Sequence, residues 1–183
     1  APTFFPSSIE KMSNRFPDDL SEYNILIKPH YLSWERKRYK QHRQKFNLWE
    51  QYDNCSVLGV DEYSLVPFMM LSDIMISDES SAIFEFASLN KPVIINRFLK
   101  LRWSYYLNPK KLLKRMDKDI DRYRVIGENP NTYEEMILVM KRELEDNSKF
   151  EKERLTLAED ICGKLDGKAS SRIVHIIKEI CGN

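Results

Sequence analysis

Glycine is scarce in this chain of 183 residues: there are five, at positions 59, 127, 163, 167 and 182, and no two stand as G-x-G. A Walker A loop and a dinucleotide-binding fingerprint both need glycines where backbone approaches phosphate, so both are excluded. Cysteine is also sparse. Cys55, Cys162 and Cys181 are odd in number and lack C-x-x-C spacing. That argues against a disulfide framework or a cysteine zinc site and fits a reducing cytosol. The longest strongly apolar run, Leu65 to Leu71, is too short to span a bilayer. The opening Ala1-Pro2-Thr3-Phe4-Phe5-Pro6 has no basic region followed by an apolar core, so it does not read as a signal peptide. It also lacks an initiator Met, and the chain is expected to be a segment of a longer protein cut at a domain boundary. Finally, charge of one sign is lacking: 29 Lys and Arg face 28 Asp and Glu, a net charge of +1. This argues against a globally basic nucleic-acid binder and leaves room for local basic patches.

What is present suits one ordinary domain. A hydrophobic fraction of 42% can fill a core, and 31% charged residues can cover it. Short apolar runs alternate with helical patterns. Strands are expected at Tyr23–Lys28, Ser56–Val60, Asp73–Ser77, Lys91–Asn96 and Tyr123–Ile126. Helices are expected at Trp34–Trp49, Glu62–Leu71 (capped by Asp61), Ser80–Leu89, Tyr133–Glu145, Lys149–Lys164 and Ala169–Ile180. This alternation implies an α/β fold, a parallel sheet with helices on both faces. The helical tail, 131–183, is expected to pack back on the sheet. Residues 99–121 match no clear pattern.

Ligands of open α/β sheets bind at the carboxyl ends of the strands. Lys28 and His30 follow the first strand, Ser77-Asp78-Glu79-Ser80-Ser81 the third, and Asn96-Arg97 the fourth. The Ser77–Ser81 stretch joins a buried strand to a helix. Its N–H groups and hydroxyls could hold an anion without glycine. Helix capping by Asp78 or Ser80 alone accounts for the same residues. His30 could meet a phosphate or act as acid or base, or be a plain loop histidine. Neither His42 nor His175 has ligand-like spacing to His30, so no metal is expected. Arg36, Lys37, Arg38, Lys40, Arg43 and Lys45 make one helix basic, which suits anionic lipid or nucleic acid, or a merely solvated face. Asp166-Gly167 opens the last helix, with Ser170 and Arg172 in its first turn.

Taken in order, Ala1-Pro2-Thr3-Phe4, Lys28-Pro29-His30, Ser72-Asp73-Ile74-Met75-Ile76-Ser77-Asp78-Glu79-Ser80-Ser81, Lys91-Pro92-Val93-Ile94 and Asp166-Gly167-Lys168-Ala169-Ser170-Ser171-Arg172 resemble the CDP-glycerol glycerophosphotransferase family. That family makes and extends teichoic-acid-type polymers. The resemblance implies a Rossmann-like domain, the C-terminal donor-binding half of a GT-B fold, with the acceptor site and catalytic base on a missing N-terminal domain. It implies that Ser80, Ser81, Lys28 and Asp78 bind the donor phosphates and that His30 steadies charge on the leaving nucleotide. Arg97, Ser170 and Arg172 would be further donor contacts. The donor would be CDP-glycerol or a UDP-sugar, the acceptor a polymer or glycolipid, with no cofactor. The enzyme would be cytoplasmic, held at the inner face of the membrane. Glu79 departs from the family's usual Tyr, Pro29-His30 inverts its His-Pro order, and Asn96-Arg97 replaces its acidic residue. A 2-epimerase-like or glycosyltransferase domain acting on UDP-sugars, or a non-catalytic module binding anionic surfaces, are the other readings.

Overall fold

The computed structural model describes residues 1–62, 64–108, 110 and 123–182. The strands are β1 (Ile25–Ile27), β2 (Cys55–Val57), β3 (Met75–Ser77) and β4 (Val93–Ile95). The helices are α1 (Phe16–Asp19), α2 (Tyr31–Glu35), α3 (Lys40–Trp49), α4 (Val66–Leu71), α5 (Ala82–Ala87), α6 (Trp103–Leu107), α7 (Tyr133–Glu145), α8 (Glu151–Cys162) and α9 (Ala169–Cys181). β1 pairs in parallel with β2, Leu26 opposite Ser56. β3 pairs in parallel with β4, Ile76 opposite Ile94. Parallel neighbours need a crossover between them. α2 and α3 cross over in the first pair and α5 in the second. The fold is thus mixed α/β with short parallel strands, the expected class. Within the described residues the strands form two separate pairs rather than one continuous sheet.

β4 shows why its apolar run is unbroken. Val93 and Ile95 enter a core with Ile83, Phe86, Ile126 and Leu157. Ile94 turns the other way, into a core with Ile9, Phe16, Phe46, Trp49 and Met136. Successive strand side chains point to opposite faces, and here both faces are covered. α7 supplies Met136, Val139 and Met140 to one core, and α8 supplies Leu157 to the other. Thr132 starts α7 by accepting from Glu135 N at 3.1 Å, while Glu135 reaches back to Asn131 N at 2.7 Å. α9 behaves differently. Ile173, Val174, Ile176, Ile177 and Ile180 are exposed, so the tail is not packed along its full length.

Several boundaries differ from the sequence reading. The single helix expected over Trp34–Trp49 is broken at Arg36, whose ψ of 125° is extended. Arg43 stabilises the break: its Nη1 donates to the carbonyls of Ser33, Trp34 and Arg36 at 2.9, 3.0 and 3.0 Å. A cation on the last carbonyls of a helix satisfies acceptors that have no intrahelical partner. Asp61 caps no helix, because α4 begins later with Leu65 at its cap position and Pro67 in its first turn. The unassigned stretch contains α6. Residues 111–122 lie outside the described part.

The expected fifth strand is also displaced. Arg124–Ile126 is a 3-10 turn, and the pairing with β4 falls at Glu128, whose carbonyl accepts from Ile95 N at 2.8 Å. Asn129 holds the turn by donating to the carbonyls of Arg124 and Gly127, both at 2.8 Å. Gly127 makes the approach possible. A Cβ there would sit 1.9 Å from Val93 O, a backbone atom that cannot step aside. Gly127→Ala is therefore expected to lower unfolding stability by about 3 kcal/mol, as overpacking of a buried site does. The shift in urea midpoint measures it.

Candidate functional site

The rim is ordered from inside by Asp78. This residue follows β3 and has no exposed surface. Its Oδ2 accepts from Thr3 N at 3.1 Å and Ser7 Oγ at 3.0 Å. Its Oδ1 accepts from Ser8 N at 3.1 Å and Ser8 Oγ at 2.6 Å. Burial pushes the carboxyl pKa up, and these donors pull against it. Asn96, at the end of β4, donates to Ser8 Oγ at 3.1 Å. Ser77 Oγ donates to Ala1 O at 2.6 Å. Residues 1–8 are thereby stitched across the carboxyl ends of β3 and β4, and Asp78 faces them rather than the solvent.

The same segment reaches His30. Phe4 packs on the imidazole with ring centroids 4.7 Å apart, and Tyr31 stacks on it at 4.8 Å. His30 caps α2: its Nδ1 accepts from Leu32 N at 3.2 Å. Burial lowers its pKa, so the neutral ring prevails at pH 7. With Nδ1 accepting, the proton of the neutral ring is assigned to Nε2, which makes that atom a donor. Lys28 is half-buried and donates to Gly59 O at 3.2 Å, tying the ends of β1 and β2 together.

After Asp78 comes Glu79, which is ion-paired with Arg124 in a largely buried contact. Burial raises the Glu79 pKa, and Arg124 opposes the rise. The charge that Glu79 brings to the rim is thus met by Arg124, a partner invisible while its segment was read as a strand. Ser80 Oγ accepts from Ala82 N at 3.3 Å, and Ser81 stands at the cap position of α5 without a side-chain cap bond. Arg97 is exposed, with its backbone N bonded to Pro130 O at 2.9 Å. Ser170 is exposed on α9. Arg172 pairs there with Asp166 at 2.8 and 2.9 Å and donates to Lys164 O at 3.3 Å. So the first eight residues link Asp78 and His30, while Arg172 bonds within the tail. Among the described residues, no group of three His, Cys, Asp or Glu could hold a metal ion.

Three comparisons bear on this arrangement. The model of the family described as CDP-Glycerol:Poly(glycerophosphate) glycerophosphotransferase matches residues 6–179. Among solved structures, the chain is similar to a variant of the wall teichoic acid polymerase TagF. Identity is 21% and the TM-score 0.54, over 97% of this chain and 42% of that one. The chain thus spans less than half the length of that polymerase, and at this identity the likeness is one of fold. No curated protein matches the chain in sequence.

The geometry around Asp78 makes one substitution decisive. Asp78→Ala leaves the N–H groups of Thr3 and Ser8 and the hydroxyls of Ser7 and Ser8 without that acceptor. The expected loss is about 3 kcal/mol of stability. Thermal unfolding of the two chains side by side checks it, with a smaller loss expected for Asp78→Asn.

Proposed function

Because the chain belongs to the CDP-glycerol:poly(glycerophosphate) glycerophosphotransferase family, we propose that it is the donor-binding half of a GT-B-type transferase. It moves glycerol phosphate from CDP-glycerol to a growing cell-surface polymer. The observation that carries this reading is the extent of the family match. Residues 6–179 take in Lys28 and His30, the Ser77–Ser81 stretch, Arg97, and Ser170 with Arg172. The TagF fold likeness supports it.

In this reading the donor diphosphate lies on the rim formed by the ends of β1, β3 and β4. The Ser80 and Ser81 hydroxyls donate to phosphate oxygens at the start of α5. Lys28 supplies positive charge beside them. His30 donates from Nε2 to the phosphate that departs. An acceptor hydroxyl attacks the phosphorus that carries the glycerol. A new P–O bond forms as the bond to the bridging oxygen breaks, and CMP leaves. The acceptor's proton passes to a base on the other half of the enzyme. The work of this domain is then positional and electrostatic, which is how most phosphoryl-transfer sites act. Arg36, Lys37, Arg38 and Lys40 are exposed at the α2–α3 break. They hold the enzyme against anionic lipid, close to its polymer acceptor.

Titration with CDP-glycerol, CMP, UDP and a UDP-sugar, read as a rise in melting temperature, tests the donor. CDP-glycerol and CMP are expected to stabilise the chain, by about 2.7 kcal/mol at a hundredfold excess over Kd. A larger shift with UDP overturns the cytidine donor, and no shift with any of the four at millimolar concentration overturns the site. His30→Asn keeps a cap acceptor for Leu32 N but removes the Nε2 donor. It is expected to weaken CDP-glycerol binding about tenfold, the value of one charge-assisted hydrogen bond.

A further inference from the structure

A groove of about 940 Å³ opens between the α2–α3 break and residues 100–103. Phe5 and Tyr39 line it. Arg38 and Lys40 enter it from the break, and Lys100 and Arg102 from the stretch after β4. Lys100 is anchored there, because its backbone N donates to Ser7 O at 2.8 Å, in the segment that Asp78 orders. Glu10 is the one acid among the described lining residues, and its Oε1 is already engaged by His42 Nε2 at 3.3 Å. The groove adjoins the rim: Phe4, which packs on His30 with centroids 4.7 Å apart, also meets Tyr39 edge-on at 5.9 Å.

Like charges converge in this groove. The Arg102 guanidinium lies 4.0 Å from the Phe5 centroid and 5.9 Å from that of Tyr39, and Arg38 lies 5.6 Å from the same Tyr39 ring. Arg102 Nη2 donates to Tyr39 Oη at 2.9 Å, which aims the guanidinium while leaving the rest of its fork for another acceptor. Aromatic rings steady a cation without cancelling its charge. Elsewhere cations meet acids: Arg124 pairs with Glu79, Arg142 and Lys149 with Glu128, and Arg172 with Asp166. Among the described residues, no carboxylate pairs with Arg38, Lys40, Lys100 or Arg102. In a chain whose net charge is only +1, that is a strong local excess. Cations gathered without an acid repel one another, and an anion placed among them removes that cost.

We propose that this groove is a track for an anionic phosphodiester chain, holding the polymer acceptor behind the end that is extended. The proposal rests on the transferase reading, in which the acceptor is a poly(glycerol phosphate). Charge complementarity selects the occupant. The groove offers several cations spread along it rather than one apolar pocket with a few polar groups, so it suits a repeating anion better than a nucleoside. Its volume admits more than one glycerol phosphate unit. Arg38 and Arg102 take phosphate oxygens with their planar forks, and Lys40 and Lys100 act as point charges. Each contact is weak alone, but a chain that meets several at once is held by all of them. Arg36 and Lys37 do not line the groove and remain for lipid. The polymer is thereby kept beside His30 between successive transfers.

The test titrates the chain, with no donor present, with a poly(glycerol phosphate) oligomer, with glycerol 3-phosphate and with phosphatidylglycerol vesicles. Lys40→Glu combined with Lys100→Glu reverses two exposed charges inside the groove. Arg36→Glu combined with Lys37→Glu makes the same change in charge outside it. Melting temperatures show that both variants fold. The oligomer is expected to bind at least about tenfold more tightly than glycerol 3-phosphate, and less tightly as salt rises. The groove variant is expected to weaken oligomer binding at least about tenfold, and the outer variant less than about twofold. An oligomer that binds no better than glycerol 3-phosphate, or that is weakened equally by both variants, overturns the proposal. So does a groove variant that loses the vesicles and keeps the oligomer, which assigns the groove to lipid. Because no donor is present, a failed CDP-glycerol titration counts against the transfer site alone, and a failed oligomer titration against the groove alone.

Discussion

A buried carboxylate governs the rim. Asp78 draws the N–H groups of Thr3 and Ser8 and the hydroxyls of Ser7 and Ser8 onto two oxygens. Those bonds carry Phe4 onto His30 and bring Ser8 within reach of Asn96. The imidazole, the end of β3 and the end of β4 are therefore held to one frame by a charge buried beneath them. A carboxylate this deep is tolerated only because several donors replace its water. The rim's outward groups, His30, Ser80 and Ser81, rest on that inward one.

Much of the fold was legible because it is local. Val93-Ile94-Ile95 reads as a strand buried on both faces, and it is one. Tyr133–Glu145 carries its own start signal in Thr132 and Glu135, and its bounds match those expected. The parallel α/β class followed from alternating strands and helices. What failed depended on distant partners. Tyr123–Ile126 has the composition of a strand, but the pairing position belongs to Glu128, because only glycine at 127 lets the chain close on Val93. Scarce glycine speaks against phosphate loops, whereas Gly127 serves a contact between two backbones.

The site was legible in outline. A polar stretch after a buried strand marked Ser77–Ser81, and a histidine after another marked His30. The direction in which Asp78 points is set by Ser7 and Ser8, some 70 positions earlier, and no local pattern carries that. Arg124 was hidden for the same reason. Arg43 counted as one cation in a basic helix, yet it binds three carbonyls of the preceding turn and belongs to the fold. Charge read from sequence gives a sum, and only packing separates the cations that build from those that face outward.

β4 is three residues long and one strand thick, and it is shared. Val93 and Ile95 belong to one apolar cluster and Ile94 to the other. Neither cluster can admit water without withdrawing the wall of its neighbour. The two strand pairs are therefore not modules that could melt in turn, but parts of a single cooperative unit. A lesion at either end of the molecule is felt at the other through three side chains.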